Sequence, residues 1–95
     1  MHNQNTVQTI FNDMNNLSLK SKSMIYFDSL DMLKEYVVSL KPNWTTFVFH
    51  GSLGGSGITV IVSKTTDLYS AMLVFGYGHI TLYSLINGVW SSRDL

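Results

Sequence analysis

The chain offers few residues whose types and spacing could make or break bonds. Its histidines are His2, His50 and His79, and it has no cysteine. A catalytic zinc ion takes three protein ligands at workable spacing. His2 lies in a polar terminal stretch, which leaves two usable imidazoles with no carboxylate close to either in the chain. No metal site is expected, and thiolate sites and disulfides are excluded. The carboxylates Asp28, Asp31 and Glu35 fall on one helical segment and its cap, while Asp13, Asp67 and Asp94 are scattered. Paired acid–base work needs two carboxyl groups facing each other across a substrate, whereas Asp31 and Glu35 stand at i,i+4 on a solvated helix face. The serine of Gly55-Ser56-Gly57 lacks a Gly-x-Ser-x-Gly elbow and leads into a strand. The glycine-rich stretch 51–57 is no phosphate cradle either. Such a loop runs into a helix and carries Lys-Ser/Thr after its last glycine, and here Ile58-Thr59-Val60 follows. No catalytic residue and no cofactor is therefore expected. A small hydrolase is the most distant reading, for want of a nucleophile–base pair.

The aromatic side chains are the more informative population: Phe47, Phe49, Phe75, Tyr69, Tyr83, Trp90, Trp44 and Tyr77. Most must fill the core, since a domain of this size has little else large to bury. Phe47 and Phe49 lie two residues apart, as do Phe75 and Tyr77, so each pair is expected to share a strand face. The remaining aromatics stand among Ser, Thr and Asn with little charge nearby. That mixture suits a surface that stacks on sugar rings or meets another protein. Trp44, His50, Tyr77 and His79 are the candidate ligand-binding residues.

Several elements must position these groups. In residues 6–19, Val7, Ile10, Met14 and Leu17 follow 3-4-3 spacing with Phe11 beside them, the stripe of an amphipathic helix. Two heptads are marginal alone in water, and Asn12, Asn15 and Asn16 weaken the helix further. The stripe must be buried, either as a neck that assembles partner chains or by packing on the rest of the domain. Residues 20–27 read as a linker entering a short strand at 24–27. Asp28-Ser29-Leu30-Asp31 then carries an N-cap signal with an acidic first turn. Leu30, Leu33, Val37 and Leu40 repeat the 3-4-3 spacing, and Lys41-Pro42 ends the helix, giving residues 29–40.

From Trp44 onward the period becomes two. Strands are expected at 45–50, 58–63, 69–77, 79–85 and 89–91, with a flexible turn over 51–57, a turn over 64–68 and a tight Asn87-Gly88 turn. Connections this short favour antiparallel pairing. The expected fold is α+β: a short neck helix at about 6–19, one packed helix at about 29–40, and an antiparallel four- to five-stranded meander over 45–91. Residues 1–22 form the N-terminal helix and linker, and 23–95 one head domain.

Composition narrows the partners. With 95 residues there is room for one core. Six basic and six acidic side chains cancel, without the basic excess that phosphate neutralisation requires, so no nucleic acid is expected. Charged residues make up 13%, about half the usual share, which leaves little protection against self-association. No apolar run approaches the roughly 20 residues that span a bilayer. The polar Met1-His2-Asn3-Gln4-Asn5 start is not expected to be a signal peptide.

The stretch 69–95, about 27 residues, joins a Tyr/Gly-rich strand (Phe75-Gly76-Tyr77-Gly78-His79) through Asn87-Gly88 to Trp90-Ser91-Ser92 near the chain's last residue. It resembles the C-terminal end of bacteriophage tail-fibre and receptor-binding proteins. Those heads often continue past Ser-Ser with a second Trp or a basic run, where Arg93-Asp94-Leu95 stands here. The helix at 29–40 is likewise not part of their usual pattern. The resemblance implies a virion structural protein, a homotrimeric head that attaches to a host through a bacterial surface glycan or protein receptor. Val7, Ile10, Met14 and Leu17 would then be its oligomerisation residues. The alternative is a small phage or bacterial protein that binds and inhibits a host protein.

Overall fold

The computed structural model describes residues 24–95. The expected neck helix at 6–19, with Val7, Ile10, Met14 and Leu17, lies outside the described residues. Within them, one helix and six strands follow the order β1 (Ile25–Phe27), α1 (Leu30–Ser39), β2 (Thr45–Leu53), β3 (Ser56–Lys64), β4 (Ser70–Gly76), β5 (His79–Ile86) and β6 (Val89–Asp94). The strands form one sheet in sequence order. The α+β class with a β meander agrees with the residue pattern, and the five antiparallel strands from Thr45 onward are joined in one sheet by the short strand read at 24–27.

That short strand is β1, which pairs parallel with β2, Ile25 opposite Gly51 and Phe27 opposite Leu53. The short connections further along the chain pointed to antiparallel pairing alone. Here the connection holds α1, long enough to return the chain to the same edge. All other neighbours are antiparallel. The expected loop over 51–57 contracts to Gly54-Gly55, because β2 and β3 keep pairing as far as Leu53 opposite Ser56.

The side-chain oxygen of Ser29, rather than Asp28, caps α1 by accepting from the Met32 N–H at 3.3 Å. Leu33 and Val37 are buried on its inner side against Phe27, Phe49, Ile58, Val60, Val62, Met72 and Val74. Tyr36 meets the rings of Phe27 and Phe49 edge to face, with centroids 5.5 and 5.2 Å away, and Phe27 and Phe49 are tilted to each other at 6.2 Å. Truncating a fully buried leucine such as Leu33 in such a setting typically costs about 2–5 kcal/mol.

Strand alternation sorts every other residue to one face. Phe49, Val60 and Val74 share a register row on the helix side, as do Phe47, Val62 and Met72, which places Phe47 and Phe49 on one face as expected. The intervening row Val48, Ile61, Leu73 and Leu82 points to the opposite face. One helix thus covers one side of a sheet that is apolar on both.

Candidate functional site

Three hairpins turn through two residues each, at Gly54-Gly55, Tyr77-Gly78 and Asn87-Gly88, with positive φ at every one of the six positions. This is the turn whose twist matches that of the flanking strands. Asn and Gly accept such angles readily, but tyrosine does not. Tyr77 nevertheless sits at φ 56°. Its hydroxyl donates to the carbonyl of Leu53, tying the β4–β5 hairpin to the β2–β3 hairpin. The ring is 57% exposed, so an unfavourable backbone angle holds an aromatic face out in water. Sparsely populated angles of this kind cluster where a side chain must be aimed. The two-residue spacing from Phe75 does not make Tyr77 its face neighbour, because β4 ends at Gly76.

The other candidate residues distribute around this tip unevenly. His79 begins β5 opposite Gly76, two residues beyond Tyr77, and is exposed. His50 lies on β2 opposite Thr59, and its Nδ1 is 2.9 Å from the Thr59 hydroxyl. Thr59 pairs with Phe75 and Phe75 with Ile80. His50 therefore lies on the face opposite the helix, while His79, one residue before Ile80, points to the helix side. Both are near the same end of the sheet, on opposite faces. Trp44 is 78% exposed at φ 62°, and its backbone N–H donates to the Thr65 carbonyl oxygen at 3.1 Å. It precedes β2 at the far end, about 30 Å of strand from Leu53 at 3.3 Å per residue. One small ligand cannot touch both Trp44 and Tyr77.

Tyr26 is a residue that the sequence pattern did not single out. It is 74% exposed on β1 opposite Ser52, on the same face and toward the same end as His50. Its neighbours Ile25 and Phe27 go to the core, and alternation within 24–27 was the only available signal. Trp90 offers less. Its ring packs against the core, and the Lys34 ammonium stands 5.9 Å from its centroid. The groove of about 390 Å³ beside it, lined by Asp31, Lys34, Glu35 and Val38, is a charged helix face with its cation already over the aromatic ring.

Among the described residues no three His, Cys, Asp or Glu side chains group to hold a metal ion, and no helix is long and apolar enough to cross a membrane. The fold and the tip together define an α+β domain with exposed tyrosine side chains at one end of its sheet. No protein-family model matches the chain, and neither the curated proteins nor the solved structures contain a significant match.

Proposed function

We propose that this chain is a non-enzymatic recognition domain: the receptor-binding head of a bacteriophage tail fibre or similar virion appendage, presented as a homotrimer. The reading rests chiefly on Tyr77, an exposed aromatic ring anchored through its own hydroxyl at a hairpin tip. A pre-positioned aromatic face gives contact area with little loss of side-chain freedom on binding, and it suits the apolar side of a pyranose ring. His79 lies two residues further along the same hairpin, and His50 and Tyr26 stand at the same end of the sheet on the other face. The chain's resemblance to fibre heads covers β4 to β6, and the Tyr77 hairpin lies inside that stretch. Adsorption to a bacterial surface glycan would work by multiplying weak single contacts over several copies.

A second reading, inhibition of a host protein, is favoured by β6. It is an edge of the sheet, with Val89 69% exposed, and such an edge can accept a strand from a partner. Two measurements separate the readings. Light scattering after size exclusion is expected to give about three times the chain mass of 10.7 kDa. Bacterial surface glycans on an array should retain the protein and lose the Tyr77→Gly variant. A mass of one chain would sink the homotrimer. Binding unchanged by Tyr77→Gly would remove the tip from recognition.

A further inference from the structure

The sheet face opposite α1 carries Val48, Ile61, Leu73 and Leu82 in one register row and Phe75 and Ile80 in the next. None of the six belongs to the helix-side core. All are partly buried or, for Ile61, exposed, and no described element lies over them. A shallow groove of about 230 Å³ runs between Ile61, Ser63, Ala71, Leu73 and Leu82, almost wholly apolar in its walls. Arg93 and His50 are the only His, Lys, Arg, Asp or Glu in the register rows of this patch.

We propose that the occupant of this face is the chain's own segment 6–19, docked through Val7, Ile10, Met14 and Leu17. Each side supplies what the other lacks. The segment has an apolar stripe that cannot stand alone in water, and the sheet has an apolar face without a second layer. The dimensions agree. Four strands at about 4.8 Å spacing set the apolar row at roughly 14 Å, and a helix from position 7 to 17 rises about 15 Å. The chain also arrives at the right place. Ile25 pairs with Gly51 on the edge strand, so Met24 lies level with His50, about 7 Å along the strand from the Val48 row. Residues 18–23 can span roughly 20 Å when extended.

A second copy of the sheet face could also bury the patch. Tethering decides between the two: a segment joined to the sheet edge through only residues 18–23 is present at an effective concentration on the order of millimolar. Against micromolar free protein that is an advantage of about a thousandfold. The segment then serves as a second layer of the domain, and any assembly of copies uses other surfaces. The assignment goes beyond the recognition reading: it takes Val7, Ile10, Met14 and Leu17 out of the trimer neck, so a homotrimer then needs another interface, while glycan binding at the Tyr77 tip is measured independently.

The absence of cysteine makes the test direct. In the full chain, the pair Ile10→Cys with Leu73→Cys is oxidised mildly across a dilution series. The expected product is a disulfide within one chain, formed at least about tenfold faster than in the control pair Ile10→Cys with Met32→Cys and independent of concentration. A disulfide that joins two chains, or a rate equal to the control, overturns the proposal. Ile10→Asp in the otherwise native chain gives a second readout. It is expected to shift the amide resonances of Ile61, Leu73 and Leu82 and to leave those of Leu33 and Val37 in place. Shifts confined to the helix side, or none, also overturn it.

Discussion

The ammonium group of Lys64 lies 2.7 Å from the carbonyl oxygen of Leu40, and its side chain is wholly buried. The same nitrogen donates to Val38 at 2.7 Å and stands 3.2 Å from Asp67. A lysine ammonium has three donors and no acceptor, so every donor is engaged. The last turn of α1 contains no basic residue of its own. The cation that its carbonyls and dipole call for comes instead from the end of β3.

Lys64→Met keeps most of the packing volume and leaves the carbonyls of Val38 and Leu40 without this donor. The expected loss is about 2–4 kcal/mol, read as a lower urea midpoint by circular dichroism. Lys41→Met is the comparison. Its ion pair with Asp67, at 2.6 Å, is more than half exposed on both sides, and its removal should lower the midpoint far less. Equal losses in the two variants would show that burial of Lys64 contributes little.

Asp67 gives the acid side of the stability profile. Its hydrogen bond from Lys41, then that from Lys64, holds the carboxyl below its ordinary value of 3.8. The folded state therefore keeps the carboxylate ionised to lower pH than the unfolded chain does. The resulting stabilisation is fully present above the unfolded value and is lost as pH falls below 3.8 through the folded value. Urea midpoints of the native chain and Asp67→Asn should differ at neutral pH and converge as the solution is acidified through that window. A gap that persists unchanged into strong acid would contradict the assignment.

Gly51→Ala and Gly76→Ala are expected to differ in severity although both meet an atom at 2.7 Å. At Gly51 the added methyl would strike the backbone oxygen of Ile25 and come within 3.1 Å of the Phe27 ring, so β1 must move off the sheet. At Gly76 the nearest atom is the Cγ2 methyl of the buried Ile58 side chain, with the Gly57 carbonyl oxygen at 3.2 Å, so a stiff side chain rather than a neighbouring strand takes up most of the strain. Overpacking of this kind costs about 1–3 kcal/mol, with Gly51→Ala at the upper end. Amide exchange should show selective loss of protection at 25–27 in Gly51→Ala, and its absence there would count against the tight β1 contact.

Tyr77 separates stability from recognition. Tyr77→Phe loses the hydroxyl bond to Leu53 at a cost of about 0.5–1.5 kcal/mol, while the stacking face remains. Tyr77→Gly loses the same bond but relieves a left-handed angle worth on the order of 1 kcal/mol, so its midpoint should lie close to that of the native chain. Glycan retention is expected to weaken in the first variant and vanish in the second. A Tyr77→Gly midpoint below that of Tyr77→Phe would show that relief of the angle is outweighed by the lost ring contacts and the freer unfolded chain.

The order of elements was legible in the residues themselves because it depends on local periodicity and turn chemistry. The 3-4-3 spacing of Leu30, Leu33, Val37 and Leu40 marks α1, which the structure bounds at Leu30–Ser39. Asn87-Gly88 marks the tight turn that the structure forms with both φ angles positive. What depends on partners was not legible. The extension of β2 and β3 up to Gly54-Gly55 follows from cross-strand pairing, and the parallel addition of β1 follows from where α1 returns the chain.

The candidate site divides in the same way. Composition and spacing alone picked out Tyr77, His50 and His79 as polar and aromatic groups near strand ends. Only register shows that the two histidines leave the sheet on opposite faces, because a shift of one residue reverses every side chain. Lys64 is the sharpest case. By sequence it belongs to a turn, and in the folded chain it is buried, since the carbonyls that solvate its charge are those of Val38 and Leu40, 26 and 24 residues earlier. Local pattern determined which segments are helix and strand, and tertiary contact decided which polar groups could be buried and which aromatic rings were left facing water.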